Sequence, residues 1–173
     1  CSAVRTPIGS LQGSLSSLKA SELGAVVIKE TLQRAKVNQA DVDLVMMGNV
    51  LSAGMGQAPA RQAALYAGLS DKVPAVTLNK MCGSGLEAII QGSRAVTLGD
   101  ASVAVVGGME AMSNAPYLVT GARGGLRMGH KQLVDSMILD GLWDVYNDKH
   151  MGSCADMCAT KYSISREEQD EFA

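Results

Sequence analysis

Val76-Thr77-Leu78-Asn79-Lys80-Met81-Cys82-Gly83-Ser84-Gly85-Leu86-Glu87-Ala88-Ile89-Ile90 is the stretch on which the reading of this chain turns. Ala75–Leu78 reads as a short strand, and Leu86, Ile89, Ile90 and Val96 recur at helical spacing until Gly99 closes the helix. Cys82 falls where the strand runs into the helix. A sulfur there faces the positive end of the helix dipole and unpaired backbone N–H groups, which favours thiolate over thiol. The sharp turn lifts the side chain out of the sheet, as in a nucleophile elbow. Gly83 and Gly85 leave the approach bare, so an acyl oxygen can come near the Cys82 N–H. Two other readings compete. Gly83-Ser84-Gly85-Leu86-Glu87-Ala88 also fits the dinucleotide fingerprint, which wants an acidic residue at the end of the next strand; Glu110 stands somewhat late for it. Most cysteines, moreover, are inert small residues of the core. Spacing alone does not separate the three.

Working outward, residues 20–36 carry an amphipathic helix pattern, with Leu23, Val27, Thr31 and Ala35 in line beside Ile28 and Leu32. Residues 42–47 form an apolar run ending in Gly48-Asn49, a strand and its turn. Residues 57–69 are rich in Ala and tolerate Pro59 in the first turn of a second helix. Residues 102–106 are an unbroken apolar run, which predicts a strand buried on both faces. Strands alternating with helices predict parallel βαβ units in an α/β layered fold. After Pro116 the pattern changes to a glycine-rich, basic segment and short helices. A boundary near residues 113–118 divides an N-terminal α/β domain, 1–115, from a mostly helical loop or lid domain, 116–173. Ser165 with Glu168 is a capping box, and the helix it opens has only eight residues before Ala173. That helix reads as cut, and the first residues read as the tail of a strand, so the chain is expected to be a fragment.

Composition narrows the function classes. Forty-seven per cent hydrophobic content marks a globular chain, and its 3% aromatic share with ten Met and nineteen Gly suits a tightly packed α/β core. A net charge of −2 with scattered Lys and Arg leaves no phosphate-binding face, so nucleic acid is not expected as a partner. The apolar runs are too short to span a bilayer, and no signal peptide is visible. Cys1, Cys82, Cys154 and Cys158 are expected to be reduced. Cys154 and Cys158, four apart, read as small core residues and with His150 make a poor zinc site.

Asn79-Lys80-Met81-Cys82-Gly83-Ser84-Gly85 resembles the nucleophile motif of the thiolases. Ser2-Ala3-Val4-Arg5-Thr6-Pro7-Ile8-Gly9, Gly48-Asn49-Val50, Gly56-Gln57-Ala58-Pro59-Ala60-Arg61 and Gly107-Gly108-Met109-Glu110-Ala111-Met112-Ser113 resemble further motifs of that family, in its order, across nearly the whole chain. The resemblance implies the N-terminal βαβαβ half of the thiolase fold and selects the nucleophile among the three readings of Cys82. Gly124-Gly125-Leu126-Arg127-Met128-Gly129 is similar to the tetramerisation loop of the acetoacetyl-CoA branch, and Asp140-Gly141-Leu142 with His150-Met151-Gly152 to its pantetheine tunnel.

By that resemblance the expected activity is acetyl-CoA C-acetyltransferase, with Cys82 carrying the acyl group and Leu142, His150 and Met151 contacting pantetheine or acyl group. His130 has no role to inherit and reads as a surface residue. No cofactor or metal is expected, only coenzyme A thioesters as substrates. Further copies of the chain are the expected partners, as a dimer of dimers, with the dimer contact near Asn49 to Arg61. The location is expected to be cytoplasmic, with the mitochondrial matrix as the alternative. The family's activating His, its Asn-bearing motif and its second Cys are implied to lie beyond these residues, so these 173 alone are expected to turn over negligibly. A non-catalytic acyl-CoA-binding or dimerising module and a ketosynthase-type condensing enzyme are the other functions weighed.

Overall fold

A computed structural model describes every residue from Cys1 to Ala173. The chain divides into two compact units, Cys1–Pro116 and Tyr117–Ala173.

The first unit is built around three parallel strands, β1 (Leu44–Gly48), β2 (Ala75–Leu78) and β3 (Ala104–Gly108), in the order β2-β1-β3. Val45 faces Ala75 on one side and Val105 on the other, so β1 is the central strand. Side chains alternate across a strand, and each face of this sheet takes a different helical cover. Val45, Met47 and Val105 point to α1 (Ala20–Ala35) and α2 (Pro59–Tyr66) and join Ile28, Leu32, Ala60, Ala63, Ala64 and Met109 in one core. Ala104 and Val106 point to the other face, against α3 (Ser84–Leu98). The Ala-rich pattern of α2 follows from its place between α1 and the sheet, where Ala60 and Ala63 are wholly buried.

The stripe that α3 lays on the sheet differs from the expected one. Ser84, Ala88, Gly92 and Ala95 are the buried positions, whereas Leu86 is 63% and Ile89 49% exposed. Small residues win because the helix lies very close to the strands. A Cβ built at Gly92 would stand 2.4 Å from Val106 Cγ1, so no larger stripe fits there. The large apolar side chains of α3 consequently face outward. Nor is β3 buried on both faces as its apolar run suggested: Val105 is buried, while Ala104 and Val106 are half-buried beneath the narrow α3 stripe. Residues 1–10 take no regular secondary structure, so the expected strand tail is absent here, and Ser2 Oγ donates to the Thr31 carbonyl at 2.7 Å.

The second unit is not purely helical. Tyr117–Leu118 (β4) pairs antiparallel with Val134–Asp135 (β5), and Trp143–Asp144 (β6) with Lys149–His150 (β7). A π-helical turn, Met137–Leu142, leads into β6, and α4 (Met151–Tyr162) and α5 (Arg166–Phe172) follow β7. Two-residue ladders give no alternation to read in a sequence. The Ser165–Glu168 capping box is present: Glu168 N–H donates to Ser165 Oγ at 3.1 Å, and Ser165 N–H to Glu168 Oε2 at 2.8 Å. All four cysteines are free; Cys158 is exposed and Cys154 half-buried, so neither is the core residue expected from their spacing. Helix α4 has no fully buried position that would hold them. No helix is long and apolar enough to cross a membrane.

Candidate active site

Cys82 lies in the first unit, exposed, between the end of β2 and the start of α3. The turn that carries it is tied by hydrogen bonds among the residues on either side of Cys82. Asn79 Oδ1 accepts the Met81 N–H at 2.9 Å, a side-chain turn that the amide of Asn makes readily. The Lys80 carbonyl accepts the Gly83 N–H at 3.1 Å, and the Met81 carbonyl accepts the Ser84 N–H at 3.0 Å. The Ser84 hydroxyl accepts the Lys80 N–H at 2.8 Å and donates to the Met81 carbonyl at 2.5 Å. Met81 itself has φ +50°, a left-handed conformation that costs a non-glycine residue about 1–2 kcal/mol. The residue before the sulfur is therefore strained, and the hydrogen bonds around it hold it there.

The floor under this turn is made of glycine. A Cβ at Gly48 would come within 2.6 Å of the Ser84 backbone carbon, and one at Gly108 within 3.2 Å of Gly85 Cα. The C-terminal ends of β1 and β3 thus receive the first turn of α3 at backbone contact. The Gly83 and Ser84 N–H groups are committed to the carbonyls of Lys80 and Met81. On the flank, Lys80 Nζ and Glu87 Oε2 pair at 2.7 Å, and this contact with the Lys80 ammonium, then the Gln91 amide, holds the Glu87 carboxyl below the usual carboxylate range.

Glu110, weighed above as an acid for a dinucleotide ribose, is engaged elsewhere. Its carboxylate accepts Asn49 Nδ2 at 2.8 Å and the backbone N–H groups of Val50 and Leu51, each at 2.9 Å. A carboxylate closing the loop after β1 is not free to bind a ribose. A groove of about 500 Å³ between residues 2–6, α1 and β3, lined in part by Arg5, Val27, Met47 and Glu110, does not include Cys82.

Leu142, His150 and Met151 lie together in the second unit. Trp143 pairs with His150, and Leu142, the last residue of the π-helical turn, and Met151, the first of α4, flank that pair at one end of the β6–β7 hairpin. His150 Nδ1 accepts the Gly152 N–H at 2.9 Å and caps α4. Met151 begins α4 half-exposed, and Leu142 and His150 are half-buried. Both histidines, His130 and His150, belong to the second unit, and His130 is exposed. No group of three or more His, Cys, Asp or Glu side chains is placed to hold a metal ion. Pattern reading named Asn79, Ser84, Glu110 and Gly48 but missed the part each plays in holding the turn and its floor. An Asn two residues before the strained position is the one local signal that pointed to any of them.

Residues 1–173 match the thiolase, N-terminal domain, family over their whole length. The chain belongs to the thiolase N-terminal domain family. It is 58% identical to "Acetyl-CoA acetyltransferase" of Pseudomonas aeruginosa over 171 residues, 99% of this chain and 44% of that protein. The protein of the same description from Cupriavidus necator is 56% identical over 172 residues, again 99% and 44%. "Acetyl-CoA acetyltransferase A, mitochondrial" of Xenopus laevis is 52% identical over 172 residues, covering 99% of this chain and 40% of its own. The chain spans less than half the length of these relatives. Membership accounts for the parallel α/β unit with a cysteine at a strand-to-helix turn, and it removes the dinucleotide reading.

Proposed function

We propose that this thiolase chain supplies the acyl-carrying nucleophile, Cys82, of an acetyl-CoA C-acetyltransferase. The observation that carries the reading is the geometry of the Asn79–Gly85 turn: an exposed sulfur one residue after a strained left-handed position, immediately before α3, over a floor of glycine. In the first half-reaction the Cys82 thiolate attacks the carbonyl carbon of acetyl-CoA, the bond to the CoA sulfur breaks, and CoA leaves and takes up a proton. In the second, another acetyl-CoA loses an α-proton. Its carbanion attacks the acetyl-Cys82 carbonyl, giving acetoacetyl-CoA and returning the Cys82 thiolate. Both halves are reversible. Each builds negative charge on a carbonyl oxygen, where the Cys82 N–H and the N-terminal end of α3 stabilise it. No cofactor is needed.

Leu142, His150 and Met151 contact the pantetheine arm or acyl group, and their common place at the end of the β6–β7 hairpin supports that role. Assembly is with further copies of the chain, as a dimer of dimers. The unit that holds Cys82 contains no histidine, and this supports the view that the 173 residues acylate but do not turn over on their own. The test is CoA-dependent cleavage of acetoacetyl-CoA by the full-length protein. Wild type is expected to cleave it, Cys82→Ala to lose about three or more orders of magnitude in kcat, and the 173-residue chain to show negligible turnover. Unimpaired cleavage by Cys82→Ala would refute the proposal.

A further inference from the structure

We propose that Ser84 is a positioning residue for Cys82, its hydroxyl clamping Met81 in the left-handed conformation that sets the sulfur at the tip of the turn. The proposal rests on the reading of Cys82 as nucleophile and adds to it the device that aims the nucleophile. Both capacities of the hydroxyl are spent on the turn: it accepts from Lys80 N–H at 2.8 Å and donates to the Met81 carbonyl at 2.5 Å. The peptides on either side of Met81 are thus held from one point. Nothing else on the chain accepts the Lys80 N–H, so the bridge also fixes where the strand ends and the turn begins.

The hydroxyl is enclosed. Ser84 is 5% exposed, and its Cβ and carbonyl carbon lie against the Gly48 backbone so closely that a Cβ there would stand 2.6 Å from both. Asn79 assists from the exposed side by accepting the Met81 N–H at 2.9 Å. Met81 is the residue being held. Its own side chain is 45% exposed and contributes little packing, so no burial drives its backbone into φ +50°. A left-handed non-glycine residue relaxes unless its surroundings over-determine it. Relaxation at Met81 rotates the following peptide and shifts Cys82 from its place at the tip of the turn.

Strain relief gives a test that ordinary structural damage would not mimic. In the full-length protein, Ser84→Ala is expected to slow both acetylation of Cys82 by acetyl-CoA and alkylation of Cys82 by iodoacetamide, the former by about 10- to 100-fold, as expected of a misplacement near 1 Å. The loss should fall on kcat more than on KM. Adding Met81→Gly should restore the acetylation rate of Ser84→Ala to within a few-fold of wild type, because glycine occupies φ +50° without a clamp. Asn79→Ala, at an exposed position, should slow acetylation in the same direction and be restored by Met81→Gly in the same way. The proposal is overturned if Ser84→Ala acetylates at the wild-type rate, or if folded Ser84→Ala and Asn79→Ala stay slow with Met81→Gly present. A wild-type protein alkylated at Cys82 but never acetylated there would sink the nucleophile reading instead.

Discussion

Asn49 and Glu110, sixty-one positions apart in the chain, are joined by a 2.8 Å hydrogen bond from the amide nitrogen to the carboxylate. The same carboxylate takes the N–H groups of Val50 and Leu51, so one side chain from beyond β3 closes the loop that leaves β1. Because β1 and β3 together carry the first turn of α3, this closure also braces the base of the Cys82 turn.

Glu110→Ala is expected to destabilise the first unit by about 1–3 kcal/mol, the cost of leaving buried donors without an acceptor. Glu110→Gln, which keeps an acceptor oxygen, should cost less. Chemical denaturation monitored by circular dichroism measures the difference, and equal stability of Glu110→Ala and wild type would contradict the closure.

Gly48 should tolerate no side chain. A Cβ there meets the Ser84 carbonyl carbon and Cβ at 2.6 Å and the Gly85 nitrogen at 2.8 Å, all fixed atoms of the α3 start. Gly48→Ala is therefore expected to cost about 1–3 kcal/mol through overpacking. Gly124→Ala, where a Cβ would meet nothing within 4 Å, is the control and should melt near wild type.

Glu87 is held ionised first by the Lys80 ammonium and then by the Gln91 amide, so its carboxyl pKa lies lower in the folded chain than in the unfolded one. The sign follows. The pair's contribution to stability is present above the ordinary carboxylate pKa and is lost as pH falls through the lowered folded value. A carbon NMR titration should find Glu87 titrating below a glutamate in an unstructured peptide, and Lys80→Met should move it upward. An unmoved titration in Lys80→Met would remove Lys80 as the principal cause.

Helix α3 turns Leu86, Ile89 and Val96 outward, while Ala88, Gly92 and Ala95 lie on the strands. The isolated 173-residue chain should accordingly bind the dye ANS and aggregate at concentrations where Leu86→Gln with Ile89→Gln stays soluble. Identical sedimentation of the two chains would show that this face does not drive association.

The strand, turn and helix around Cys82 were legible because each carries its own local signal: an apolar run, glycines, and a helical repeat closed by Gly99. The direction in which α3 would face was not. A helical repeat of large apolar residues normally marks the buried face, yet here the approach of α3 to Ala104 and Val106 selects the small residues between them. The strain at Met81 was hidden for a related reason. Methionine gives no hint of φ +50°, and the clamp comes from Ser84, which in one dimension is part of a glycine-rich motif. Glu110 was noticed for the wrong task, since only the folded chain brings it to Val50 and Leu51. The capping box at Ser165 was legible because both partners lie within one turn.

The central claim is that Cys82 carries the acyl group, and peptide mass mapping of the full-length protein after brief exposure to acetyl-CoA tests it most directly. One acetyl group is expected on the peptide containing Cys82, discharged on adding CoA and absent from Cys82→Ala. Acetylation confined to Cys154 or Cys158, or CoA binding with Cys82 unmodified, would contradict the account.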